Sequence, residues 1–405
     1  MSEGGPLQGL RIVDLSTVVM GPWASQMLAD MGAEVIKVES PQGDVTRQMG
    51  PGRHPGMAAV FLCTNRNKRS IVLDLQQAQG REAIQRLADN ADVVLHNLRP
   101  QVAQKLGLDY ATFSERNPGL VFCAAFGFSS RGPMADRPAY DDVIQSASGM
   151  AHLVGAVSDQ PRFVPSIVAD KTTAYAVVSA IMAALLQRGR TGRGQSVEVP
   201  MYETMADFGL VEHLYGATFD PPIGPMGYSR ILTKERRPFP TADGFLTVLP
   251  YTDRNWRDFF RIAGREELME DPDFATLAAR VKNASKVYAT IAQVVATRST
   301  ADLIRELEAA QIPVMKVKRI EELLDDEQLA ASEFWQFVEH PTEGRLRLTT
   351  SPIQFGTKLP QLRRHPPRLG EHSREILAET GYSDEQIEQL LARQVTHQAA
   401  PPDFS

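Results

Sequence analysis

Asp170 is the side chain here best placed for covalent chemistry. It lies in Val164-Pro-Ser-Ile-Val-Ala-Asp170-Lys-Thr-Thr-Ala174, where an extended apolar segment meets the start of a helix. An aspartate at such a junction has an ordinary structural role: it is a favoured N-cap, accepting a hydrogen bond from a first-turn N–H. The same position also suits a nucleophile. A helix N-terminus supplies positive potential and backbone donors, so a carboxylate beside it is expected to stay ionised and oriented at neutral pH. An ionised carboxylate can attack a thioester carbonyl and pass through an acyl anhydride. Small residues fill the helix behind it (Ala174, Ala176, Ser179, Ala180, Ala183, Ala184), which permits close backbone packing.

Cations near strand ends are the second feature. Lys68-Arg69 precedes a strand starting at Ser70, Arg99 follows one at Val93, and Lys105 and Arg137 lie in the loops beyond. Ligands of open α/β sheets bind outside the carboxyl ends of the strands. Several cations there suit a polyphosphorylated ligand, although each alone reads as a solvated surface charge. Other chemistries lack the residues they need. The first strand leads into Ser16-Thr-Val-Val-Met-Gly-Pro22, not a G-x-G-x-x-G, so a nicotinamide or flavin site of the usual kind is not expected. There is no P-loop and no G-x-S-x-G elbow. The eight histidines are scattered without paired spacing, and no metal is expected.

The elements that must position these residues alternate. Leu10–Leu15 reads as a buried strand, Gly21-Pro22 opens a helix that stops near Gly32, and Val35–Val38 is the next strand. Strands follow at Ser70–Leu73, Val93–His96, Leu120–Ala125 and Ser196–Val199, with helices at Gln79–Asn90 and Thr172–Gln187. The pattern predicts an α/β fold: a large domain with an open, Rossmann-like parallel sheet, its N-terminal part covering 1–219. Asp220–Tyr228 is dense in turn residues and reads as a linker. A smaller α+β domain is expected over 220–330, with a hairpin at Asp243-Gly244 and helices at Trp256–Ala263, Val287–Ala296 and Ala301–Ala309. The last segment, 331–405, is expected to return to the large domain. It has a β-like stretch at Leu346–Ile353, a proline-rich arm at Pro360–Pro367 and two terminal helices.

Composition bounds the class. The 405 residues are 43% hydrophobic and 23% charged, with a net charge of −6, the balance of an ordinary globular enzyme and not of a nucleic-acid or membrane-surface binder. Cys63 and Cys123 are too few for a disulfide scaffold, which points to a reducing cytoplasm. The longest apolar run, Ala174–Leu186, is about 13 residues against the roughly 20 that a membrane span requires.

The chain resembles the family III coenzyme A transferases over nearly its whole length. The resemblance is carried by LQGLRIVDLSTVVMGP, GAEVIKVE, the run Asn65–Asp74, ADVVLHNLRP, NPGLVFCAAFGFSSRGP and RPAYDDVIQSASG. It continues in the Asp170 segment, ALLQRGRTGRGQSVEV, DGFLTV, IPVMKV and PPRLGEH, all in the same order. It implies CoA transfer from an acyl-CoA donor to a free carboxylic acid, through aspartyl-anhydride and aspartyl-CoA thioester intermediates. The nucleophile falls on Asp170. The CoA contacts fall on Val18, Val19 and Met20; on Leu73 and Asp74; on Asn97, Leu98 and Arg99; on Lys105 and Leu106; and on Arg137, Pro138, Ala139 and Tyr140. Thr17, Asp141, Gly227 and Tyr228 are the expected substrate contacts. No permanently bound cofactor is implied, since CoA and acyl-CoA are substrates, and the expected assembly is an interlocked homodimer.

Departures narrow the reading. Thr17 and Val19 stand where formyl-CoA transferases carry a histidine and a glutamine, and Ser40 stands where an arginine flanks the adenine. A run of glycines is missing, with Gly224-Pro-Met-Gly-Tyr228 the nearest counterpart. A related 2-methylacyl-CoA racemase is the alternative, but its histidine falls on Tyr140, where an acid–base pair needs an imidazole. A catalytically silent CoA-binding protein of the same fold also remains open. Arg230, Lys234, Arg236 and Arg237 lean weakly towards a dicarboxylate such as succinate.

Overall fold

A computed structural model describes residues 5–158, 160–356 and 360–400. Six strands, β1 (Arg11–Asp14), β2 (Glu34–Glu39), β3 (Lys68–Val72), β4 (Val93–His96), β5 (Val121–Phe126) and β6 (Gln195–Pro200), form one sheet in the order β3-β2-β1-β4-β5-β6. Every pair is parallel. The order reverses between β1 and β4, the topological switch point of a doubly wound fold.

Side chains alternate across the sheet, so each strand serves two faces. Val13, Ile36, Ile71, Val94 and Phe122 pack into a core with Ile84 and Leu87 of the Ala78–Asp89 helix and with Ile376, Leu377, Ile387 and Leu390 from the chain's end. The neighbouring positions, Asp14, Lys37, Glu39, Lys68 and Ser70, belong to the other face and are buried as charges and hydroxyls. β3 therefore begins two residues earlier than its apolar run suggested: Lys68 and Arg69 are strand residues at the amino end, not ligand-facing cations at a carboxyl end. Lys68 Nζ is held by Asp14 Oδ2 at 3.2 Å, Pro22 O at 2.7 Å and Asn65 Oδ1 at 2.8 Å. Arg69 is spent on Glu34, Glu375 and Glu379.

The Val168–Thr191 helix, 24 residues long, packs on the Met20–Asp30 helix, with Trp23 and Tyr175 edge to face at 5.3 Å. It is longer than the apolar run read from sequence. It is the one helix among the described residues long and apolar enough, by length and composition, to cross a membrane. Its exposed stripe includes Lys171, Tyr175 and Leu186.

The chain divides into two compact units. The first comprises 1–148, 165–206 and 327–405, and the second 149–164 and 207–326. Residues 149–164, read from sequence as part of the large domain, thus sort with the second unit: Arg162 N–H bonds to Ala151 O at 3.2 Å within that excursion. In the first unit the C-terminal segment lies along β3, where Thr396 Oγ1 donates to Val72 O at 2.6 Å and Asp74 N–H donates to Val395 O at 2.8 Å. The second unit is α+β. Its antiparallel strands β7 (Phe239–Pro240), β8 (Phe245–Val248) and β9 (Val314–Lys316) share an aromatic core of Trp256, Phe259, Phe260 and Phe274 with the surrounding helices. Asp243 Oδ1 ties the β7–β8 turn to Thr300 N–H at 2.8 Å. A further hairpin, β10 (Trp335–His340) and β11 (Gly344–Thr349), belongs to the first unit.

Candidate active site

The Val168–Thr191 helix feeds β6, so it runs against the strand direction and its first turn opens at the carboxyl edge of the sheet. That edge is where open α/β sheets bind ligands. Asp170 is the third residue of this helix, and the N-cap is Ile167, whose side chain has no oxygen. The N-cap reading of Asp170 is therefore wrong. The capping oxygen comes from another helix, Asp141–Ala147. Asp141 Oδ1 accepts from Ala169 N–H at 2.7 Å and from Asp170 N–H at 3.0 Å, while its Oδ2 accepts from Gln145 Nε2 at 2.6 Å.

Val168 N–H meets Ser166 O at 2.7 Å, and Lys171 N–H makes the first intrahelical bond, to Ile167 O at 3.2 Å. Three of the four N–H groups that a helix start leaves unpaired, those of Val168, Ala169 and Asp170, thus have partners. None of these three donors is turned to the Asp170 side chain. The residue is 9% exposed. Burial first, and the Asp141 carboxylate second, push the Asp170 carboxyl up to about 7. The expectation of a fully ionised carboxylate is corrected accordingly: near neutrality it is about half ionised.

Three loops of the expected CoA site come together at the same edge. After β1, Thr17 N–H donates to Asn97 Oδ1 at 3.0 Å, and Asn97 Nδ2, after β4, donates to Thr17 O at 2.7 Å. This double clasp spans the switch point. The β4 loop reaches the loop after β5 through Asp136, whose main-chain O accepts from Arg99 at 3.4 Å and whose Oδ2 accepts from Gln101 Nε2 at 2.8 Å. Arg137, Pro138 and Tyr140 follow at the surface with Ala139 half-buried, and Asp141 lies next in the chain. Arg99, Lys105 and Arg137 are exposed and form no ion pair among the described residues, which leaves their charges available to a phosphate. Leu98 and Leu106 are half-buried beside them.

Other expected contacts are placed differently. Val19, Met20 and Leu73 have buried side chains, with Leu73 inside the core, so only their backbones can face a ligand. Asp74 is engaged in its own turn, accepting from Gln76 N–H and Gln77 Nε2, each at 3.0 Å. Gly227 and Tyr228 belong to the second unit, where Gly227 N–H donates to His213 O at 2.8 Å and Tyr228 N–H to His213 Nδ1 at 3.2 Å. Sequence reading missed the buried pair Lys37 and Asp44 beneath the β1 loop. A lysine in the middle of the apolar run VIKV was the available signal. No cluster of three or more His, Cys, Asp or Glu side chains suited to a metal ion occurs among the described residues.

Comparison with known proteins places this geometry among relatives. The model of CoA-transferase family III matches residues 7–373. The chain is 35% identical over 383 residues to the succinate–glutarate CoA-transferase of Agrobacterium fabrum, covering 92% of this chain and 95% of that one. It is 30% identical to a formyl-CoA:oxalate CoA-transferase of Escherichia coli, covering 94% and 97%. The crystal structure of a CaiB/BaiF family protein from Brucella suis superposes with a TM-score of 0.77 at 32% identity, covering 93% of this chain and all of that one.

Proposed function

The chain belongs to CoA-transferase family III, and as a CoA-transferase, we propose, it moves coenzyme A between carboxylic acids through covalent intermediates on Asp170. The observation that carries this reading is a buried carboxylate at the carboxyl edge of the sheet, held by its own backbone N–H against Asp141. A poorly solvated carboxylate is a stronger nucleophile and, once acylated, sits in a site that admits little water.

The steps balance with one negative charge throughout. The Asp170 carboxylate attacks the donor thioester, a C–O bond forms, and CoA leaves as thiolate. The thiolate attacks the aspartyl carbonyl of the mixed anhydride, releasing the donor acid as carboxylate and leaving an aspartyl-CoA thioester. The acceptor carboxylate displaces CoA to form a second anhydride, and the thiolate then takes the acceptor's acyl group and frees Asp170. Since the Val168, Ala169 and Asp170 N–H groups are occupied, the oxyanions of these steps draw on other donors of the surrounding loops. The exposed Arg99, Lys105 and Arg137 would meet the phosphates of CoA.

Short dicarboxylates such as succinate and glutarate are the proposed acids, on the name of the Agrobacterium relative. The test is a panel of acyl-CoA donors and free acids run in D₂O, with products read by mass spectrometry. Succinyl-CoA with glutarate is expected to yield the acceptor's thioester, and a 2-methylacyl-CoA to gain no deuterium at its α-carbon. Enzyme-dependent α-deuteration on the timescale of turnover would establish the racemase reading instead. Tyr140, 67% exposed at the N-cap of the Asp141 helix, argues against it, because a proton shuttle needs a group held in the dry site.

The proposed assembly is a homodimer of interlocked chains. Large apolar side chains left at the surface of the single chain support it: Val211 is 79% exposed, Ile223 74% and Leu186 66%. Tagged and untagged protein, mixed after folding, is expected to form no mixed dimers over hours; rapid exchange, or a monomer in sedimentation, would rule the interlocked form out.

A further inference from the structure

Buried charge fastens the loop after β1, the position at which dinucleotide-binding folds place glycines. Val18 stands at φ +71°, in the left-handed region where a β-branched residue is a genuine outlier. Such a conformation persists only where its surroundings over-determine it, and these conformations cluster at ligand sites. The backbone from Ser16 to Val18 is fastened by side chains from separate elements. Asp14, ending β1, accepts from Ser16 N–H at 2.9 Å. Lys37 Nζ, from the middle of β2, donates to Ser16 O at 3.0 Å and to Asp44 Oδ2 at 2.9 Å. Asp44 Oδ1 accepts from Val18 N–H at 3.2 Å and from Thr46 N–H at 2.9 Å. Asn97 grips Thr17 between them. The helix start crowds the same turn, since a Cβ on Gly21 would fall 2.2 Å from Ser16 Cβ.

The side chains of Lys37 and Asp44 are fully buried. Burial opposes charge on both, yet their mutual attraction, helped on Lys37 by Asp14 and Glu39, keeps the lysine above and the aspartate below their ordinary values. A buried pair of this kind is a costly way merely to gain stability, because an apolar pair of similar volume would often serve as well.

We propose that Lys37 and Asp44 are positioning residues for acyl-CoA: the pair fixes the Ser16–Val18 backbone in the shape that receives CoA without touching the ligand itself. This rests on the reading that the β1 loop is part of the CoA site. Its effect falls on binding of the thioester and not on the acceptor acid or the chemical step, because the clamp pre-organises one loop and Asp170 performs the chemistry. Asp44→Asn keeps an oxygen for Val18 N–H but removes the charge facing Lys37; it is expected to raise KM for acyl-CoA by about 10-fold, the cost of a less ordered loop, with KM for the acceptor and kcat within about twofold. Val18→Gly adopts the same backbone without strain, so it folds; it is expected to raise KM for acyl-CoA by about threefold through the wider freedom of the unliganded loop.

Asn97→Ala serves as the reference for the CoA site. If Asn97→Ala raises KM for acyl-CoA while Asp44→Asn leaves it at the wild-type value, the clamp proposal is overturned and the site stands. If neither variant changes it, the loop does not receive CoA and both readings fall. An Asp44→Asn protein that loses kcat and affinity for both substrates together has only a structural role there. Should that variant not fold, an unchanged KM in Val18→Gly overturns the proposal.

Discussion

Asp170→Asn is expected to lower turnover by about 10³-fold or more, the usual scale for removing a covalent nucleophile, while CoA still binds. It is also expected to make the protein more stable at pH 8. The native Asp170 carboxyl is raised to about 7, against about 3.9 in an unfolded chain. A raised acid destabilises the fold once it must ionise, so the penalty is absent below pH 4, grows as pH rises towards 7, and is constant above it. About three pH units correspond to a ceiling of about 4 kcal/mol. Local relaxation and water entry reduce this, and a gain of about 1–3 kcal/mol at pH 8 is the expected result, vanishing near pH 4. Paired thermal melts at the two pH values read it. An N-cap aspartate would behave oppositely, losing about 1 kcal/mol of stability on substitution. A variant that is less stable at pH 8, or that keeps a few per cent of its activity, contradicts the account.

Asp141→Asn is expected to shift the pH dependence of catalysis. An ionised Asp170 is required in the first step, so kcat/KM for the donor should fall on the acid side with an apparent value near 7. Asparagine at 141 can still accept from Ala169 and Asp170 N–H through its side-chain oxygen, but it lacks the like charge that lifts the Asp170 carboxyl. The acid limb should move to lower pH by about one unit, leaving the larger contribution of burial in place. Asp141→Ala should move the limb to lower pH as well, since it removes the same charge, and in addition lower kcat about 10-fold, because it frees two helix-start donors and loosens the backbone that aims Asp170. An unmoved limb in the asparagine variant would mean that the two carboxylates are not electrostatically coupled.

The architecture was legible in the chain because its strands are short apolar runs separated by turn residues. Leu10–Leu15, Val35–Val38 and Val93–His96 each contain or overlap the observed strand. Asp170 was legible for the same reason, as a lone acid where an extended run turns helical. What surrounds it was not. Asp141 reaches Asp170 from 29 positions away, and no local pattern encodes that approach. The same distance effect misassigned Lys68 and Arg69: cations beside a strand read as solvated until the structure shows Asp14, Asn65 and three glutamates gathered around them. The helices Asp141–Ala147 and Pro100–Lys105 are seven and six residues long, too short for a helical period to stand out, although both frame the site.

The central claim is that Asp170 carries the acyl and CoA groups in turn, and hydroxylamine trapping tests it most directly. The enzyme is mixed with its donor acyl-CoA in the absence of acceptor, quenched with hydroxylamine, digested and mapped by mass spectrometry. An aspartyl thioester or anhydride is cleaved to a hydroxamate on the residue that held it. The account predicts a hydroxamate at Asp170 that depends on donor and disappears in Asp170→Asn. A hydroxamate at another carboxylate, or CoA transfer proceeding with none at all, would contradict it.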